Sequence, residues 1–191
     1  MNPYFTVYVP AHTPEYASMA EVALASLELQ TFTNFETIFI ANDTAVPVWA
    51  TNPGFVRDTV GIGGRKILGG CFGTLAAVAN AAIWLARGRR ILRLDADDEL
   101  HAEALAHYAR EIAVHPEAKA IEGHWVESGE IQGGGLVLPV DLLRQTGGYD
   151  ETEPLKDGMR IIKSLGIEDH IIKTPVPVYM YHRHERSLSC P

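Results

Sequence analysis

The 191-residue chain is 47% hydrophobic and 21% charged, a composition typical of a globular protein with a single core. Its 16 basic and 24 acidic residues give a net charge of −8, which disfavours nucleic acid and anionic membranes as partners. Cys71 and Cys190 are far apart and in no metal-ligand spacing, so we expect a reducing, cytoplasmic setting. We expect no signal peptide, and the longest near-apolar run, residues 75–86, is too short to span a bilayer.

The first 44 residues alternate between strand and helix patterns. The predicted elements are a strand at Phe5–Val9 that Pro10 closes, an amphipathic helix at Glu15–Leu29 and a second strand at Phe35–Ala41. A strand, helix and strand with short connections form a right-handed parallel unit. The polar residues that follow the two strands, His12 and Asp43, are therefore expected at the same edge of a sheet.

A segment rich in glycine follows a loop at residues 45–54 and a brief third strand predicted at Phe55–Arg57. We interpret residues 61–70 as a glycine-rich loop that carries two cations, Arg65 and Lys66. Such a loop can approach a diphosphate closely and neutralise it. A flexible surface loop without a ligand is the alternative, because glycine-rich loops are common.

The next pair of elements ends in a cluster of acids. Leu75–Leu85 predicts a buried helix, and Arg90–Leu94 predicts a buried strand that is followed by Asp95, Asp97 and Asp98. Carboxylates packed this closely repel one another, and a divalent cation that prefers oxygen ligands would offset that cost. The alternative is a solvated acidic turn before the next helix, because short motifs are weak signals.

The second half of the chain predicts the remaining helices and strands. They are a helix at His101–His115, strands at Ala118–Trp125 and Leu136–Val140 with a glycine-rich turn between them, a short helix at Asp141–Thr146, a helix from Pro154 to Gly166, and an extended segment at Ile171–Tyr181. This order of elements is that of one α/β domain.

The order of motifs resembles the family 2 glycosyltransferases over nearly the whole chain. The matching segments are residues 7–12 (VYVPAH), 24–35 (LASLELQTFTNF), 38–44 (IFIANDT), 80–98 (from the Asn80 helix to the D-x-D-D run), 147–151 (GGYDE) and 181–189 (YHRHERSLS). Each motif alone is weak, but six of them occur in the family's order and at compatible spacings.

The resemblance implies a single-domain GT-A (Rossmann-like) three-layer α/β/α fold with a mostly parallel central sheet. In that frame residues 1–100 form the nucleotide-binding half and residues 101–191 the acceptor-side half. It also implies a metal-dependent, inverting hexosyltransferase that uses Mn2+ or Mg2+ and a nucleotide-diphosphate donor, for which we expect a UDP-sugar. The acceptor is expected to be a saccharide or another small hydroxyl compound; a protein or modified DNA remains open.

Site roles follow from the resemblance, residue by residue. Asp43 corresponds to the acid that contacts the base or ribose. Asp95 and Asp97 match the D-x-D pair, with Asp97 as the direct metal ligand and Asp95 towards the ribose and metal. Asp157 matches the aspartate that serves as general base, and His184 matches a histidine that contacts the diphosphate or metal. The full expected donor-binding set is Ala11, His12, Asp43, Arg65, Lys66, Asn80, Asp95 and Ala96, and the metal set is Asp95, Asp97 and His184.

Two departures from the family pattern leave alternatives open. Ala79 stands where many members carry an arginine, so Arg65 or Lys66 is expected to supply that diphosphate contact. Lys156 stands where an acid is common, which leaves the role of Asp157 as the base open.

Two other classes of protein are compatible with parts of the pattern. A catalytically degenerate relative would bind the nucleotide sugar without transferring or hydrolysing it. A sugar nucleotidyltransferase would need a glycine-rich basic loop directly after the first strand, and residues 10–14 (PAHTP) lack one.

Overall fold

The computed structural model describes residues 2–47, 64–127, 130–152, 158–174 and 176–182. The strands are β1 (Phe5–Ala11), β2 (Phe35–Asn42), β3 (Arg65–Gly70), β4 (Arg90–Arg93), β5 (Glu99–Leu100), β6 (Ala120–Glu127), β7 (Glu130–Pro139), β8 (Ile171–Lys173) and β9 (Tyr179–Met180). The helices are α1 (Pro14–Glu28), α2 (Leu75–Leu85), α3 (Ala104–Val114), α4 (Val140–Gln145) and α5 (Gly158–Leu165), with a 3-10 turn at Glu168–His170. The brief strand expected at Phe55–Arg57 lies outside the described residues.

A mostly parallel seven-stranded sheet organises these elements, in the order β3-β2-β1-β4-β7-β6-β8. The pairs β3–β2, β2–β1, β1–β4 and β6–β8 are parallel, whereas β7 is antiparallel to both of its neighbours. β5 and β9 form a separate antiparallel pair. Because β1 to β4 run parallel, their carboxyl ends open at one edge, where sheets of this type bind ligands.

Alternating side chains of the central strands divide the core into two layers. Phe5, Val7 and Val9 of β1 pack with α1 and α3, and the opposite face, which includes Tyr8, packs with α2, α4 and α5. The arrangement is a three-layer α/β/α sandwich, as the family resemblance implied.

Side chains also fix the ends of the helices. Thr13 Oγ1 accepts a hydrogen bond from the backbone nitrogen of Tyr16 at the start of α1. The last carbonyls of α2 accept from the Arg144 guanidinium, which lies 2.8 Å from Ile83 O and 2.6 Å from Ala86 O. A cation at a helix C-terminus also complements the helix dipole.

Three predicted boundaries were wrong. β1 continues through Pro10. Proline has no N–H to donate, but the pairing with β4 ends at Tyr8, so no ladder hydrogen bond to β4 is lost at Pro10. Residues 65–70 form β3 against β2 and are not a loop. The glycines at 133–135 lie within β7 and not in a turn: a side chain at Gly135 would lie 2.5 Å from the Tyr108 hydroxyl.

Candidate functional site at the carboxyl edge of the sheet

The acidic run forms a tight turn directly after β4. Leu94 N donates to Tyr8 O of β1, and Asp98 N donates to Asp95 O at 3.1 Å. Asp95 and Asp97 are partly exposed. Ala96, which lies between them, and Asp98, which follows them, are buried. The turn therefore directs two carboxylates outward and one inward.

Asp43 lies at the same edge, at the end of β2. Its backbone has φ 53°, a left-handed conformation that aspartate tolerates better than most residues, and its N–H donates to Gly70 O at 2.9 Å. The neighbouring Asn42 Oδ1 accepts from Phe72 N at 2.9 Å. The exposed thiol of Cys71 donates to the Asp43 carboxylate, and this hydrogen bond raises the pKa of Cys71.

The junction between β1 and α1 contributes an aromatic pair. Ala11 ends β1 and is buried, and the exposed His12 stacks on Tyr16 with ring centroids 4.6 Å apart. Burial raises the pKa of Tyr16, and the negative charges of Asp97 and Asp95 raise it further. The Tyr16 hydroxyl is therefore close to the acidic turn, although sequence reasoning gave it no role.

A partly exposed cation lies beside the turn. Arg93 ends β4 and forms an ion pair with the Asp95 carboxylate. Burial alone would lower the pKa of Arg93, but Asp95 and the phenol oxygens of Tyr8 and Tyr179 raise it above its usual range. The pKa of Tyr149 is raised to about 12 by burial, and the positive charge of nearby Arg93 makes this rise smaller. Arg93 was also missed, because an arginine inside an apolar run carries no distinctive signal.

The inward carboxylate, Asp98, is 2% exposed and accepts from the backbone nitrogen of His182 at 3.0 Å. Burial raises the pKa of Asp98 to about 7; the His182 hydrogen bond lowers it, and the charges of Asp95 and Asp97 raise it. The His182 ring lies 2.8 Å from Glu99 Oε1. The chain near its carboxyl end is thus held against the acidic turn.

The donor set at the turn fits a hard divalent cation. Asp95 and Asp97 supply carboxylate oxygens, and Mg2+ is commonly held by one or two carboxylates, with water and substrate phosphates as its other ligands. Among the described residues, no group of three His, Cys, Asp or Glu side chains could hold a metal ion. A cation that binds together with a diphosphate needs no such group.

The structure places five members of the predicted donor-binding set at one edge of the sheet. Ala11, His12, Asp43, Asp95 and Ala96 all lie at the carboxyl edge. Lys66 does not.

Lys66 Nζ lies 2.8 Å from Leu85 O at the end of α2 and 3.1 Å from Glu36 Oε2, towards the amino ends of the strands. These contacts correct the interpretation of Lys66 as a diphosphate ligand. Arg65 pairs with Thr37 through the backbone of β3, and its side chain is outside the described part of the chain.

Asn80 has partners other than those expected. Its amide nitrogen donates to Tyr149 O and Glu151 Oε1, and its Oδ1 accepts from Tyr149 N. The side chain therefore fixes the turn after α4. Asp157 and His184 lie outside the described residues, so their roles stay predictions.

Known proteins share this architecture. The mannosyltransferase PcManGT from Pyrobaculum calidifontis, in complex with GDP-Man and Mn2+, matches 98% of this chain with a TM-score of 0.79 and 17% identity. S. aureus TarS 1–349 in complex with UDP-GlcNAc matches 95% of it with a TM-score of 0.75 and 17% identity. The chain has the GT-A glycosyltransferase fold, as predicted, and spans 59% of each of those two chains.

No protein-family model matches the chain. The uncharacterized protein y4gI of Sinorhizobium fredii (strain NBRC 101917 / NGR234) is 30% identical over 122 residues, which are 63% of this chain and 13% of that protein.

Within the described residues, no helix has both the length and the apolar character needed to cross a membrane.

Proposed function

We propose that this chain transfers a sugar from a nucleotide-diphosphate donor to an acceptor hydroxyl. One observation carries the proposal: Asp43 and the Asp95–Asp97 turn follow β2 and β4, the two strands that flank β1, at the carboxyl edge of a GT-A sheet. Two proteins with the same fold were solved with UDP-GlcNAc and with GDP-Man. A UDP-sugar is the donor we test first.

The edge offers complementary groups to the two ends of a nucleotide. The exposed Asp43 carboxylate is suited to accept hydrogen bonds from a base or ribose, and the exposed His12 ring next to it along the edge is suited to pack on a base. Asp95 and Asp97 would hold a Mn2+ or Mg2+ ion, which when bound would offset the charge of the leaving diphosphate. His184 is proposed as a further contact to the metal or diphosphate.

We propose a single displacement at the anomeric carbon. The acceptor oxygen forms a bond to the anomeric carbon while the bond from that carbon to the diphosphate oxygen breaks, and the diphosphate leaves with the electron pair. A carboxylate takes the acceptor proton, a contribution of typically about 10²–10⁴-fold, and we propose Asp157 for this role. A single displacement of this kind inverts the anomeric centre.

The two halves of the chain are proposed to divide the work. Residues 1–100 would bind the nucleotide, and residues 101–191 would bind the acceptor, a saccharide or another small hydroxyl compound. A cytoplasmic location is proposed from cysteine usage alone.

The test is calorimetric titration of the protein with UDP and with GDP, each with Mn2+, Mg2+ or EDTA. We expect metal-dependent binding of one nucleotide and its loss in Asp97→Ala. Asp141→Ala is the matched control, because Asp141 is an exposed acid in the first turn of α4, which starts beside Arg89 at the opposite edge. Binding without metal would remove Asp97 from the proposed ion site, and no binding to either nucleotide would overturn the proposal for these donors.

Turnover separates the transferase from a degenerate relative that only binds the donor. A transferase releases nucleotide from the matching sugar donor, slowly by hydrolysis when no acceptor is present. A protein that binds UDP or GDP tightly but releases no nucleotide over hours would fit the degenerate alternative.

A further inference from the structure

A two-stranded ladder attaches the end of the described chain to the acidic turn. Leu100 pairs with Tyr179 and Glu99 with Met180. Beyond the ladder, Asp98 Oδ1 accepts from His182 N at 3.0 Å, and Glu99 Oε1 lies 2.8 Å from the His182 ring. These contacts join residues that are 79 to 84 positions apart in sequence.

Tyr179 makes the most direct contact with the turn itself. Its hydroxyl accepts a hydrogen bond from the backbone nitrogen of Asp95 at 3.1 Å and donates one to the Asp98 carboxylate. A phenol can donate one hydrogen bond while accepting another, so a single oxygen links both ends of the turn.

The ring that carries this hydroxyl is held firmly. Tyr179 is 8% exposed and belongs to the core layer that contains Leu92 and Val137. Gly135 leaves room for the ring, since a side chain at that position would lie 3.2 Å from Tyr179 Cδ2. The hydroxyl position is thus determined by core packing.

The turn has a physical need for such support. Three carboxylates occur within four residues, and the innermost, Asp98, is nearly removed from water. Repulsion between them favours a wider turn, which would move Asp95 and Asp97 apart. The hydrogen bonds from Tyr179 and His182 N oppose that change, because they compensate the buried carboxylate and hold the backbone at Asp95.

We propose that Tyr179 is a positioning residue that holds the Asp95–Asp97 turn in the geometry that binds a divalent cation. The inference rests on the proposed function, since it concerns the cation of that site. Groups that orient metal ligands from behind typically change metal affinity by about 10–100-fold when they are removed.

The experiment follows Mn2+ broadening of backbone amide NMR signals in 15N-labelled protein, which detects weak binding without any nucleotide. In the unmodified chain we expect broadening centred on residues 95–98. Tyr179→Phe should raise the Mn2+ concentration at half-broadening by about tenfold. It should also speed hydrogen exchange at the Asp95 amide, which loses its acceptor.

Tyr108→Phe is the matched control. The Tyr108 hydroxyl is also in the core and donates to Gly135 O at 2.6 Å, so the control loses a buried hydroxyl on the same layer but does not touch the turn. If both variants keep the normal Mn2+ midpoint, Tyr179 has a purely structural role and the inference is wrong.

Two further outcomes separate this inference from the proposed function. If Mn2+ does not broaden residues 95–98 in the unmodified chain, the inference is overturned, and calorimetry with UDP and GDP decides the proposed function alone. If Mn2+ binds at the turn but no nucleotide binds, the proposed function fails, whereas the comparison of Tyr179→Phe with Tyr108→Phe still decides the inference.

Discussion

Asn80 of α2 and Tyr149 of the turn after α4 are joined by a reciprocal pair of hydrogen bonds. Asn80 Nδ2 donates to Tyr149 O at 2.9 Å, and Tyr149 N donates to Asn80 Oδ1 at 2.8 Å. Gly148 has φ 81° and no room for a side chain, because a Cβ atom there would collide with Asn80 Oδ1. The GGYDE motif is therefore a turn built around one buried amide, and it leads into the segment that contains Asp157.

This pairing predicts that Asn80 affects catalysis more than donor binding. Asn80→Ala leaves two backbone groups of Tyr149 without partners, a cost of about 1–3 kcal/mol for each buried group. We expect kcat to fall severalfold while nucleotide affinity by calorimetry changes less than about twofold, because the amide has no spare donor for a diphosphate.

Asn34→Ala is the control for that variant. Asn34 Oδ1 accepts from Tyr4 N at 3.1 Å, ahead of β1 and away from the acidic turn. A large loss of nucleotide affinity in Asn80→Ala, without the same loss in Asn34→Ala, would return Asn80 to the donor-binding set that the sequence resemblance implied.

The position of Lys66 predicts a variant that changes stability but not donor binding. Lys66→Met removes one partner of the buried Glu36 carboxylate and the contact to Leu85 O. We expect a lower free energy of unfolding in urea, by about 1–3 kcal/mol, and unchanged affinity for UDP and GDP. A fall in nucleotide affinity of more than about fivefold, measured where the variant is fully folded, would contradict this placement.

Parts of the site could be predicted because short apolar runs end abruptly in polar residues. β1, β2 and β4 are buried, and the residues that follow them, His12, Asp43 and Asp95, lie at one edge as expected. The strand–helix–strand order was enough to align these ends, because parallel units have a single hand.

Other parts depend on partners that the local sequence does not reveal. Glycines normally mark loops, but Gly69 and Gly70 pair with β2. Gly135 lies in β7, where Tyr108 and Tyr179 occupy the space that a side chain would fill. The β5–β9 ladder has only two residue pairs, so no periodicity identifies it. Tyr179 therefore had no sequence signal linking it to Asp95.

Glu36 predicts an acid-sensitive contribution to stability. Burial raises the pKa of this carboxyl. Hydrogen bonds from the Arg87 backbone and side chain, Thr6 and Lys66 lower the pKa by a larger amount, so that it lies below its usual range. A carboxylate whose pKa is lower in the folded state stabilises the fold above its unfolded pKa, and this stabilisation is lost as the pH falls through the folded pKa.

Glu36→Gln should therefore cost about 3 kcal/mol at pH 7, and the difference between the two proteins should shrink below about pH 4. Urea unfolding at pH 7, 5 and 3.5 measures both effects. A difference that stays constant down to pH 3.5 would mean that the charge of Glu36 contributes nothing and that only its shape matters.

Cys71 provides a probe of the nucleotide-binding edge. Its exposed thiol donates to the Asp43 carboxylate, which raises the pKa of Cys71 and so lowers the thiolate fraction at neutral pH. Asp43→Asn should lower that pKa and make alkylation of Cys71 by iodoacetamide severalfold faster at pH 7.5. Peptide mapping by mass spectrometry separates Cys71 from Cys190, and Asp141→Asn controls for the loss of one acidic charge at the opposite edge.

The same reaction tests whether Asp43 faces the bound nucleoside. If it does, saturating UDP or GDP with Mn2+ covers the thiol beside it, and alkylation of Cys71 in the unmodified chain slows severalfold relative to the rate without nucleotide. Nucleotide that binds by calorimetry yet leaves the Cys71 rate unchanged would put the base and ribose away from β2. The Asp95–Asp97 turn would then have to accommodate the diphosphate from the β1–α1 side, where His12 and Tyr16 lie.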